Sequence, residues 1–153
     1  MKKVSLGSRI GATLGTLLIV TALAACAGVG GSTSGGSGSS QDITGNWKLV
    51  SGTDAKGGFT PGTAAVTFKL NGHSSGGRGP CNSYGATTTG ATTGTISIVV
   101  GIHTEMACMD PELNSTEARF FAALDKVTTA ALDSGTLTLT GHGDGLVFTR
   151  ATT

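Results

Sequence analysis

Ala64-Ala65-Val66-Thr67-Phe68-Lys69-Leu70-Asn71-Gly72 decides how this chain folds. Ala64, Val66, Phe68 and Leu70 alternate with Ala65, Thr67 and Lys69, so one face of an extended segment is apolar and the other wet. Asn71-Gly72 follows at once, a pair that suits a type I′ turn because both central positions need positive φ. The stretch predicts a strand closing into a hairpin, with His73 to Gly79 as a return strand weakened by its glycines.

Further strands lie on both sides. Trp47 and Leu49 alternate with Asn46, Lys48 and Ser51, and Ile96, Ile98 and Val100 make another run that Ile102 extends. Leu137 and Leu139 alternate with Thr136, Thr138 and Thr140; the loop Gly141 to Gly145 then turns the chain towards Leu146 and Phe148, a second hairpin. One helix interrupts the strands. Asp110 is a good N-cap, Pro111 suits the first helical position, and Glu112 favours the positive end of the dipole. A helix over 111–126 follows, with Leu113, Phe120, Phe121 and Leu124 on one face and Glu117, Asp125 and Lys126 outside it. The predicted fold class is α+β: a strongly bent, barrel-like antiparallel sheet of about seven to eight strands with one helix packed on it.

The N-terminus reads differently. Lys2, Lys3 and Arg9 precede an apolar run from Ile10 to Ala22, and small residues lead into Cys26. A basic start, a short hydrophobic stretch and a small-residue exit make a secretory signal. The run is short of the roughly 20 apolar residues a membrane span needs. Leu23-Ala24-Ala25-Cys26 resembles the lipobox of bacterial lipoproteins. That resemblance implies diacylglyceryl attachment to the Cys26 thiol followed by cleavage after Ala25, and the two acyl chains of that group, palmitate for example, hold a protein stably at a membrane. Residues 1–25 are then the signal peptide, 26–41 the lipidated cysteine and a Gly/Ser-rich tether, and 42–151 the folded domain. Ala27 to Gln41 has Val29 as its one large apolar residue and stays flexible, spanning on the order of 20 Å.

With Lys2, Lys3 and Arg9 gone, seven basic residues face nine acidic ones, a mature net charge of about −2. No basic stripe for a phosphate backbone remains, so no nucleic acid partner is expected. Once Cys26 is assigned to lipid, Cys81 and Cys108 are an even pair in an oxidising compartment, and a disulfide is the default reading. A zinc site with His73, His103 or His142 is the alternative, but the close C-x-x-C spacing is missing, so neither metal nor other cofactor is expected.

Trp47-Lys48-Leu49, Val66-Thr67-Phe68, Gly79-Pro80-Cys81-Asn82-Ser83-Tyr84-Gly85, Thr104-Glu105-Met106-Ala107-Cys108 and the Phe120–Leu124 helix occur in the order of a META domain. Over about residues 43–150 the chain resembles this domain of bacterial heat-shock-inducible lipoproteins. Pro80 stands where the family usually has glycine, and the segment after Asn82 is a residue shorter. The resemblance implies a compact antiparallel fold, an envelope location, a role in stress or antibiotic tolerance, and no established catalysis.

The residues themselves offer little to an enzyme. No serine reads as an activated nucleophile, and His142 with Asp144 marks a hairpin tip. Glu105 reads as a solvated outward residue, Asn82 as a turn residue bonding its own backbone, Met106 as core. An interaction surface is expected on Arg78, Asn82, Tyr84, His103 and Glu105, which cluster around the cysteine pair. The expected protein is a monomeric, non-enzymatic lipoprotein on the extracytoplasmic face of the cell membrane, with the membrane and an envelope protein as partners. The alternatives are a lipid carrier, using a cavity lined by Phe68, Ile98, Phe120 and Leu139, and a hydrolase.

Overall fold

The structure is a computed structural model that describes residues 39–106 and 108–152. The segment read as a signal, Cys26 and the residues read as a tether, as far as residue 38, lie outside the described residues. Ten strands and one helix follow one another: β1 (Gly45–Asp54), β2 (Gly57–Phe59), β3 (Thr67–Asn71), β4 (Ser74–Arg78), β5 (Ser83–Thr89), β6 (Gly94–Thr95), β7 (Ser97–His103), α1 (Pro111–Asp125), β8 (Thr129–Asp133), β9 (Thr136–Gly141) and β10 (Asp144–Arg150). Eight of the strands have five residues or more, and β2 and β6 are short additions.

All pairings are antiparallel, in the order β6-β8-β9-β10-β1-β3-β4-β5-β7, with β2 beside β1. The two ends of that order are neighbours in the chain. β6 pairs with β8, β7 pairs with β5, and only Ile96 separates them; its N–H donates to the Thr128 carbonyl at 3.1 Å. One stretch of backbone thus joins both edges of the sheet and bends it into a nearly closed barrel, which leaves little edge exposed. Alternation fills the inside: Trp47, Leu49, Phe68, Leu70, Leu137, Leu139, Leu146 and Phe148 are buried. Burying each such side chain stabilises the fold by roughly 1.5–3 kcal/mol.

The helix begins as the sequence predicts. The Asp110 carboxylate accepts from the Glu112 N–H at 2.8 Å, and Pro111 opens the first turn. It ends at Asp125, with Lys126 as its C-cap. Phe120, Ala123 and Leu124 pack inward, while Leu113 and Phe121 are half-buried. Glu117, expected outside this face, lies inside it and is 8 % exposed. Its position four residues after Leu113 and three before Phe120 puts it on the apolar stripe; backbone donors waiting there keep it buried.

Three strand expectations shift. The first hairpin turns on Gly72-His73, with Asn71 paired to Ser74, so Asn71 belongs to the strand. Gly72 carries φ +60° at the first central position, the glycine placement of a II′-type loop. Ala64 and Val66 precede β3 in a loop, although Val66 is fully buried. Ile102 extends β7 but points out. Tyr84 faces His103 and Ala86 faces Val100, so Gly85 alone opposes Gly101 and Ile102. That extra residue is a β-bulge, and it flips the alternation beyond it. Ile98 is therefore inside, and Ile102 is 86 % exposed.

Candidate functional site

The polar residues of interest gather where two loops meet α1. Cys81 and Cys108 are bonded, with Cα atoms 5.7 Å apart and a sequence separation of 27. Around them the helix supplies two side chains. Glu117 accepts from the Cys81 N–H at 2.8 Å, the Asn82 N–H at 2.7 Å and the Asn82 side-chain amide. Asn114 accepts from the Cys108 N–H at 3.2 Å and donates to the Cys108 carbonyl at 2.9 Å. Both cysteine backbones are thus fixed to one helix, independently of the sulfur bond.

Asn82 is the hub of this joint. It is 5 % exposed, and its amide oxygen accepts from Thr104 Oγ1 at 2.8 Å and the Met106 N–H at 2.7 Å. Its amide nitrogen donates to the Met106 carbonyl at 3.1 Å as well as to Glu117. The side chain bridges two distant loops where a local backbone bond was expected. A buried polar residue must satisfy every donor and acceptor, and here all of them are used inside the joint.

The expected interaction surface therefore divides. Asn82 and Tyr84 are buried, so neither presents its side chain to a partner. Tyr84 donates its hydroxyl to the Thr67 carbonyl at 2.9 Å and packs edge-on against Phe120 and Phe121, with centroids 5.7 and 5.2 Å away. Burial pushes its phenol well above the usual range. Arg78, His103 and Glu105 are exposed, as Glu105 was expected to be. His103 lies with its ring 5.5 Å from that of Phe121. Met106, expected in the core, is 62 % exposed, because Asn82 grips its backbone and leaves the side chain outside. Met109 is fully exposed. His73 lies in the β3–β4 turn, His103 at the end of β7 and His142 in the β9–β10 turn, and the two thiols they would need are joined to each other.

A second polar contact ties the β1–β2 turn to the helix. Arg119 Nε and Nη2 donate to the two oxygens of Asp54 at 2.8 Å each, and Nη2 also donates to the Gly57 carbonyl at 2.7 Å. Its guanidinium lies 4.4 Å above the Phe59 ring. The paired hydrogen bonds from Arg119 hold the Asp54 carboxyl at about 2, and Asp54 raises the Arg119 value in turn. Beside it, Lys126 pairs with Asp144 at 2.9 Å, and the shallow groove between the two pairs is about 290 Å³. Phe68, Ile98, Phe120 and Leu139, the residues that a hollow interior would line, belong to one packed cluster.

Sequence reasoning missed Glu117, Asn114 and Thr104. Glu117 was legible as an acid on an apolar stripe and Thr104 only as part of the Thr104–Cys108 motif; Asn114 carried no signal.

The META domain pattern matches residues 41–153. The chain belongs to the META domain family. Its Cys81-Asn82 and Thr104–Cys108 elements are the two halves of the joint just described. An NMR structure of a protein from Burkholderia xenovorans is similar to this META domain at 26 % identity, over 73 % of this chain and 84 % of that one, with a TM-score of 0.58. A crystal structure of a DUF4847 family protein from Bacteroides vulgatus ATCC 8482 shares the fold at 14 % identity, over 73 % and 96 %, with a TM-score of 0.50. Comparison with curated proteins finds no match.

Proposed function

We propose that this META-domain protein is a lipoprotein, anchored through Cys26 on the extracytoplasmic face of the membrane, that acts by binding in envelope stress and not by catalysis. The observation that carries the binding reading is the closed polar joint. The amide of Asn82, both carboxylate oxygens of Glu117 and the amide of Asn114 are spent on one another's loops. Polar groups occupied in this way hold a scaffold rigid and leave nothing aimed at a substrate. The disulfide supports an oxidising location, since thiols stay reduced in the cytosol. The exposed Arg78, His103, Glu105, Ile102 and Met109 remain as contact residues.

The test is detergent phase partitioning of cells expressing the full chain and its Cys26→Ser variant. The parent protein should enter the detergent phase at a mass showing residues 1–25 removed and position 26 acylated. Cys26→Ser should stay unprocessed at the signal. A parent protein found wholly in the aqueous phase with an unmodified thiol sinks the anchor.

A further inference from the structure

Charge is not spread evenly over this barrel. Asp54 and Glu105 are consecutive carboxylates, so the fifty residues from Ala55 to Thr104, which include β2 to β7, hold none. The same half of the barrel keeps its cations. Lys69 on β3 and Arg78 at the end of β4 are exposed, and Lys48 on the adjoining part of β1 joins them. All three lie on the outer face, because their neighbours Trp47, Leu49, Phe68, Leu70 and Ser75 point in. The pairings bring them together: Lys48 opposes Thr67, Lys69 opposes Asn46, and the Arg78 N–H donates to Thr67 Oγ1 at 3.0 Å. Lys48 and Arg78 thus adjoin Thr67 on the two neighbouring strands, and Lys69 follows it two residues on along β3. None of them enters an ion pair among the described residues, where the pairs are Arg119–Asp54 and Lys126–Asp144. Glu105, Asp110, Glu112 and Asp125 lie on α1 and the loop before it, outside this face.

The position of the face matters as much as its charge. The described chain enters at Gln41 to Ile43, which bond to Ala91 and Thr93, and Thr44 accepts from Arg150 Nη1 at 2.8 Å. Asn46, opposite Lys69, is two residues further on. The cationic face therefore begins where the tether joins the domain. Two grooves of about 280 Å³ flank Lys69, lined by Asn46 and Thr67 on one side and by Asn71, Ser74 and Gly76 on the other. They offer hydroxyls and amides beside the ammonium, the donor set that a phosphate ester takes.

We propose that the outer face of β1, β3 and β4, centred on Lys48, Lys69 and Arg78, docks on anionic lipid headgroups of the membrane holding the anchor. This rests on the anchored reading above. Each cation held at an anionic surface favours binding about fivefold, so three would be weak on a free protein. A tether makes the encounter intramolecular, and the same three then suffice to set which side faces the lipid. The acidic helix side is repelled at the same time. The domain would lie with α1, Ile102 and Met109 away from the membrane, presented to other envelope components.

The test imitates the anchor chemically, so it does not depend on whether cells acylate Cys26. Residues 26–153, produced without the signal, have Cys26 as the one thiol outside the disulfide. This chain is coupled through Cys26 to maleimide lipid in vesicles of phosphatidylcholine alone or with one-third phosphatidylglycerol. Lysines are then acylated by a membrane-impermeant reagent and read by mass spectrometry. Lys48 and Lys69 should react at least threefold more slowly on the anionic vesicles, Lys56 and Lys126 equally on both, and 0.5 M salt should remove the difference. Arg78→Glu, an exposed change that keeps both reporter lysines, should reduce the protection by at least half. Equal reactivity on both vesicles overturns the proposal, as does equal protection of Lys56. Protection on neutral vesicles by added inorganic polyphosphate, with none from phosphatidylglycerol, would assign the face to a soluble anion and overturn the membrane reading.

Discussion

The two ends of this barrel are closed by different means. At the end where the described chain enters, closure is by backbone and apolar contact: Ile43 N–H donates to the Ala91 carbonyl at 2.9 Å, Thr93 N–H to the Gln41 carbonyl at 2.8 Å, and Trp47 Nε1 to the Ile43 carbonyl at 2.9 Å. At the other end it is by named side chains, Glu117, Asn82, Asn114 and Thr104, around one disulfide. Backbone N–H and C=O groups are nearly the same in every residue, so the first end accepts many sequences. A carboxylate that must meet three donors accepts very few. The elements on which the resemblance was read, Cys81-Asn82 and the stretch from Thr104 to Cys108, lie at the second end. They mark a joint in the scaffold, and a fold's signature is not its function.

The largest expected effect breaks that joint at its acid. Glu117→Ala would orphan the Cys81 N–H, the Asn82 N–H and the Asn82 amide. Hydrogen bonds to a charged acceptor contribute about 1.5–3 kcal/mol each, with some recovered by water, so a loss of about 3–5 kcal/mol is expected in urea unfolding. Asn82→Ala should cost a similar amount. The double variant should cost clearly less than the two together, since they share bonds. A loss under about 1 kcal/mol for Glu117→Ala would mean that the disulfide alone holds this end.

Removing the sulfur bond sharpens the same contrast. Cys81→Ser with Cys108→Ser opens a loop of 27 residues, for which chain entropy gives about 3–4 kcal/mol. Because Glu117 and Asn114 grip the cysteine backbones separately, the variant should remain folded at 25 °C, with its near-ultraviolet dichroism unchanged. A fully unfolded variant would show that the polar joint has no strength without the staple.

How much of this was legible follows the same division. Strands with regular alternation, such as Thr136 to Thr140 and Trp47 to Leu49, were readable because one face is buried along their length. β5 and β8 were not: Ser83–Thr89 and Thr129–Asp133 are mostly threonine, alanine and glycine, and their pairing comes from neighbours. Ile102 was misread because a bulge of one residue leaves no mark in composition. Glu117 was misread because charge was allowed to outrank its place on the stripe. Arg78, His103 and Glu105 were correctly left outside, whereas Asn82 and Tyr84 were taken for surface residues. Their partners lie 17 to 35 residues away, beyond any local pattern.

The smallest effect concerns the Asp54–Arg119 clamp, a side-chain contact that belongs to the same end as the joint. Asp54 is held at about 2 against an ordinary 3.8, chiefly by the hydrogen bonds from Arg119. A carboxyl depressed on folding stabilises the fold fully above its unfolded value, and that contribution fades as pH falls through 3.8 towards 2. Acid titration of thermal stability should therefore show a slope between pH 4 and 2 that Asp54→Asn reduces, while the two proteins run parallel above pH 5. The pair is close to solvent, so screening keeps the effect small and 0.5 M salt should shrink it further. A slope unchanged by Asp54→Asn would assign the acid sensitivity to other carboxylates.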